Sequence, residues 1–164
     1  MKPAPALARD TLEAIVAEVR AVYAELDARP AERACVNRAE CCRFRLTGRT
    51  PQPTLGEALV AALGWRAAGR KSPPPVESNA KDGACPFLDP ATARCAIYRD
   101  RPFGCRTHFC EAAGGVRARG EIVDLIRRLE RIDEIHRGGG PRPIVSAVRA
   151  VWDRLPARGG RQKR

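Results

Sequence analysis

Leu12, Ile15, Val16, Val19, Val22, Tyr23 and Leu26 recur three and four residues apart, with charged residues between them. That is the spacing of one face of an α-helix. Asp10 reads as its N-cap, with Glu13 three residues on in the capping-box pattern, and Pro30 ends it. A single short apolar stripe predicts a helix lying on a core rather than an oligomerising coiled coil. Thr54 and Glu57 repeat the capping-box pattern and open a second helix through GEALVAALGWRAAGRK. EIVDLIRRLERIDEIHR predicts a third, with Ile122, Leu125, Ile126, Leu129 and Ile132 on one side; GGGPRP breaks it, and IVSAVRAVWDRL forms a last short one. SPPPVESNAKDG at 72–83 holds too many breakers for helix or central strand and reads as a surface loop leading into Cys85. Between 85 and 110 the expectation is turns and loops, with one helical turn near Tyr98. No alternating run is long enough for a real sheet, and no internal repeat is visible.

The fold class is therefore mainly α: a small single domain over 1–156, with a loop-dominated, cysteine-rich centre at 35–110 flanked by amphipathic helices. Residues 157–164 read as a basic disordered tail. A chain of 164 residues buries roughly 70% of its unfolded surface and needs no cross-links to fold. Aromatics are only 5% of the chain, so its core must be built from Ala, Leu, Val and Ile. The net charge is +11, from thirty Lys and Arg against nineteen Asp and Glu. That charge is mostly arginine and is spread along the chain; only RGGRQKR at the end is dense. It reads as a compositional bias, so nucleic-acid binding is expected to be weak and non-specific. The shortage of aromatics argues against a single-strand stacking platform, and no zinc-finger spacing supports duplex readout. No apolar run approaches a membrane span. The first twenty residues carry no signal-peptide pattern, which points to the cytoplasm, where thiols stay reduced.

In that setting seven cysteines favour metal or redox chemistry over disulfides. They form two groups, Cys35, Cys41 and Cys42, then Cys85, Cys95, Cys105 and Cys110. Zinc and iron–sulfur clusters both take thiolate ligands, and all seven cysteines are candidates. No C-x-x-C pair is present. Cys41 and Cys42 are neighbours whose side chains are expected to point apart, so that one faces the metal and the other the core or a second metal. Pro102 and Gly104 in RPFGC suggest a tight turn with amide N–H groups aimed at the sulfur of Cys105. Arg101 and Arg106 bracket that cysteine and are candidate cofactor-binding residues, because four thiolates around zinc leave a charge of about −2. His108 is a candidate ligand. His136, at the end of its helix, is expected to interact with the helix dipole instead.

CVNRAECC at 35–42, CPFLD at 85–89 and CAIYRDRPFGCR at 95–106, with FRLT after the double cysteine, resemble the YkgJ-like CxxCxxCC cysteine-cluster family, described as zinc- or iron-chelating domains. The resemblance implies Cys85, Cys95 and Cys105 as ligands, joined by at least one of Cys35, Cys41 and Cys42. It departs from the family at Arg38, which stands where the first motif carries its second cysteine; Cys110 is the candidate substitute. The implied cofactor is a [4Fe–4S] cluster or zinc, with the number of thiols favouring the cluster. The expected function is an electron-transfer, sensing or accessory module with a protein or redox partner. The alternatives are a metal-dependent enzyme using spare thiols and a basic nucleic-acid-binding protein with structural zinc. The nucleotide-loop, zinc-protease and nucleophile-elbow motifs are absent, so no catalytic residue is assigned. Asp82, Asp89 and Asp100 read as turn or capping residues.

Overall fold

The computed structural model describes residues 5–31, 38–76 and 83–157. Cys35, residues 77–82 of the 72–83 loop and the basic end after residue 157 lie outside those residues.

Helix α1 spans Arg9–Ala28 and buries the stripe read from the sequence, Leu12 to Leu26. Its N-cap is Ala8, not Asp10, and no side chain caps it. Asp10 sits inside the first turn, where a negative charge still faces the exposed N–H groups. Arg29 turns to extended backbone at ψ 138, as the residue before a proline must. Helix α2 is one turn, Phe44–Thr47, closed by Gly48 at φ 63.

Helix α3, Leu55–Ala67, is the centre of the molecule. Leu55, Ala58, Leu59, Val60, Ala61, Ala62 and Trp65 are all buried, and a helix apolar all round must be enclosed. It touches α1, α5 (Val123–Ile135) and α6 (Ile144–Trp152). Gly56 lets α1 close on it: a Cβ there would lie 2.7 Å from Cγ2 of Val19. Helix α5 buries Leu125, Leu129 and Ile132, as its periodicity requires, and also Asp133. The Asp133 carboxylate accepts the Leu55 N–H at 2.7 Å and the Gly140 N–H at 2.8 Å. It thus ties the start of α3 to the glycine loop that leads into α6. Among the described residues, no helix is long and apolar enough to cross a membrane.

The second cysteine group lies on short, irregular elements. Strands β1, Leu88–Asp89, and β2, Arg94–Cys95, pair antiparallel with Leu88 opposite Cys95. Asp89 bonds the Ala91 amide at 2.9 Å and so shapes the turn between them. A 3₁₀ turn at Tyr98–Asp100 follows, where a helical turn was expected, and then the five-residue helix α4, Phe103–Thr107. Phe87, Ile97 and Phe103 anchor this segment by entering the helical core.

Candidate metal centre

Backbone pairing brings the two cysteine groups together. The Cys85 N–H donates to the Cys42 carbonyl at 2.6 Å, and the Phe44 N–H to the Gly83 carbonyl at 3.3 Å. Arg43 and Ala84 form the bridge between them. The β1–β2 hairpin carries Cys95 beside Cys85, and α4 presents Cys105. All six described cysteines line one cavity of about 290 Å³: Cys41, Cys42, Cys85, Cys95, Cys105 and Cys110. Its apolar wall includes Phe44, Phe87, Ile97 and Phe109. Besides the thiols, charged and titratable neighbours on the wall are Arg38, Arg49, Tyr98, Arg101 and His108; among the described residues no carboxylate lines it.

Cys41 and Cys42 do not point apart. Their sulfurs are 3.9 Å from each other, because they lie in the 3₁₀ turn Glu40–Cys42. Three residues per turn separates neighbours by about 120°, not the half-turn of a strand. The distance is close to the roughly 3.8 Å between sulfurs on a tetrahedral zinc with 2.3 Å bonds. A hydrogen bond from the Cys42 thiol, helped by the Arg101 charge, lowers the Cys41 pKa below the ordinary thiol value. The same hydrogen bond, with burial, raises that of Cys42.

Amide groups do aim at sulfurs, but at other cysteines than RPFGC suggested. The Phe87 N–H serves Cys85 and the Ile97 N–H serves Cys95, each two residues beyond its cysteine. Such bonds favour the thiolate. Burial outweighs them, holding Cys95 above the usual thiol value and pushing Cys85 up to about 12. Burial likewise raises Cys105. Around Cys105 the chain makes the first turn of α4 instead, with its N–H donating to the Pro102 carbonyl at 2.9 Å. Gly104 is helical and roomy: a Cβ there would meet only Pro51, at 3.9 Å. Pro102 fits because it is the N-cap of α4, at φ −58.

The two arginines separate. Arg101 lies on the cavity wall, its guanidinium 3.8 Å from the centre of the Tyr98 ring. Its charge acts on Cys41, Cys95 and Cys105. Its Nε is buried and has no hydrogen-bond partner among the described residues. Arg106 stacks over Tyr23 at 4.2 Å and binds the carbonyls of Arg101 and Arg99 and the Asp27 carboxylate. It braces α4, which carries Cys105, against the turn that precedes it. His108 lines the cavity beside Cys110, and partial burial, with the Arg49 charge, holds its pKa below the ordinary value. That favours its neutral form, the form that can ligate a metal. His136 takes the C-terminal cap of α5, 3.6 Å from Glu18. Arg38, on the cavity rim, pairs with Glu40 at 3.1 Å.

Among the described residues, no three Cys, His, Asp or Glu side chains are drawn to the spacing of a closed metal site. The thiols ring a space instead of meeting at a point. The donor chemistry fits a thiolate-bound metal, and so does the buried Arg101 Nε–H, which lacks the acceptor that an anionic sulfur would supply. A cation would also favour the thiolate forms that burial opposes. The sequence had flagged the sulfurs and arginines. It did not flag the apolar wall, whose residues come from separate segments and carry no mark of their common position.

No curated protein and no solved structure matches the chain. A family profile does match, over residues 33–122, more than half of the chain; its description reads "Putative zinc- or iron-chelating domain". The matched span holds every cysteine that lines the cavity, together with Cys35, Arg101 and His108, and on that ground the chain belongs to the CxxCxxCC family.

Proposed function

We propose that the chain is a metalloprotein of the reducing cytoplasm whose cysteine cavity binds an iron–sulfur cluster, and that it serves as an electron-transfer, sensing or accessory module for a protein partner. One observation carries this reading: six thiols, with a buried arginine N–H that has no partner among the described residues, line a single cavity. Zinc and a cluster each take four thiolates; the roomy cavity and its surplus thiols favour the larger group. Cys85, Cys95 and Cys105 are the ligands from the second group, and Cys41 or Cys42 from the first completes the four that a cluster takes. Cys110 and His108 supply further donors on the same wall. Bound there, a cluster would supply one-electron chemistry. Arg101 would offset the thiolate charge and donate a hydrogen bond, while Phe44, Phe87 and Ile97 limit the access of water to one side.

The test is anaerobic purification followed by iron, zinc and acid-labile sulfide analysis with a visible spectrum. A brown protein with iron and sulfide in equal amounts is the expected result. A colourless protein with one zinc per chain replaces the cluster with zinc and leaves metal binding standing. A chain that takes up neither metal overturns the reading.

A further inference from the structure

Helix α4 has five residues, too few to persist by its own hydrogen bonds, yet it presents Cys105 to the cavity. Its anchor comes from the middle of the fold. Glu57, in the first turn of α3, is 4% exposed. One carboxylate oxygen accepts the Phe103 N–H at 2.8 Å, with the Tyr23 hydroxyl 3.5 Å away. The other accepts both the N–H and the hydroxyl of Thr54, each at 2.9 Å. The same carboxylate therefore closes the capping box of α3 and holds the first N–H of α4, forty-six residues further along the chain.

A capping box alone would accept glutamine as readily as glutamate. Here both oxygens face N–H or O–H donors. An amide offers one acceptor, and its NH₂ would be turned against the donors on one side. Burying a carboxylate is costly, and burial indeed raises the Glu57 pKa. A glutamate is needed because one side chain must end two helices. The opposite side of Cys105 is fixed by Arg106, stacked on the same Tyr23. We infer that Glu57 is a positioning residue, which sets the Cys105 thiol in the metal cavity through the Phe103 amide. The inference rests on the metal-binding reading, but its test also has a readout free of metal.

The experiment compares the full chain with Glu57→Gln and Thr54→Val. The second variant removes the hydroxyl bond to one carboxylate oxygen and weakens the cap of α3, but leaves the other oxygen on the Phe103 N–H of α4. Zn²⁺ affinity is measured by chelator competition, and the rate of Cys105 alkylation by iodoacetamide is measured in metal-free protein, with Cys110 as internal reference. Glu57→Gln is expected to lower zinc affinity 10–100-fold, the usual range for residues that orient ligands, and to speed alkylation at Cys105 relative to Cys110. Thr54→Val should lower the melting temperature yet leave both readouts within about threefold of the parent. If Glu57→Gln does not fold, Glu57→Asp keeps the charge with a shorter reach and should also speed Cys105. Unchanged readouts in the Glu57 variant, or equal changes in Thr54→Val, overturn the inference. If the parent binds no zinc, the alkylation ratio alone decides it, and the metal reading is judged separately by the iron, zinc and sulfide analysis.

Discussion

At the scale of single residues, the sharpest question is which thiol answers for the cysteine that Arg38 replaces. Arg38 and Cys110 line the same cavity. If Cys110 supplies the missing ligand, Cys110→Ser lowers metal per chain as far as Cys105→Ser does, since serine keeps the size but not the soft thiolate. Arg38→Cys then restores the metal to Cys110→Ser; full occupancy in Cys110→Ser alone would make Cys110 an ordinary thiol. A second expectation concerns Asp124, whose bonds to Arg29 draw its pKa from 3.8 to about 2. A depressed carboxylate pKa means that the unfolded chain binds the proton more readily, so the pair stabilises above the unfolded value and ceases to as pH falls through the folded one. The melting-temperature gap between the parent and Asp124→Asn should be full above about pH 5 and close towards pH 2. A gap that widens on acidification would contradict the pairing.

Elements differ in what holds them. Helix α3 is held from all sides, by α1, α5 and α6. Leu59, at its middle, is fully buried, and Leu59→Ala should cost about 2–5 kcal/mol through lost contacts and the cavity left behind. Leu46 on α2 is 68% exposed, and Leu46→Ala should stay within about 0.5 kcal/mol. Urea unfolding of the two variants checks the contrast. The cysteine-bearing elements lack such enclosure. The β1–β2 hairpin has two residues per strand, below what stands alone in water, and it depends on Phe87, Ile97 and the pairing of Cys85 with Cys42.

For the molecule as a whole, this division predicts how metal loss would spread. The four packed helices have a core of their own, whereas residues 83–110 hold little beyond their anchors and the thiols. Stripping the metal with a chelator should leave far-ultraviolet circular dichroism nearly intact while changing the near-ultraviolet signal and opening 83–110 to proteases. Trp65 reports the event, because its ring meets Phe87 edge-on at 5.2 Å and Phe87 lies two residues from Cys85. An unchanged Trp65 environment and protease pattern after complete metal removal would show that the site does not organise this segment.

Periodicity located α1, α5 and α6, because a helix that buries one face must repeat its apolar residues at the helical period, whereas α3, apolar all round, was located by its capping box and apolar run. Local chemistry also fixed the stop at Pro30 and the Thr54–Glu57 capping box, which depend on residues a few positions apart. The cysteines, the arginines beside them and the C-IY-RP-C-R element marked the family in the same way. Tertiary structure decided the rest. That α3 is central follows from which helices reach it, and that Cys41 and Cys42 face each other follows from a 3₁₀ turn no pattern announced. Sequence read Arg101 and Arg106 alike; packing put one on the cavity wall and the other against Tyr23. Glu57 shows the difference most plainly, since its bond to Thr54 spans three residues and is legible in sequence. Its bond to Phe103 spans forty-six and exists only because α1, α3 and α4 meet where the carboxylate is buried.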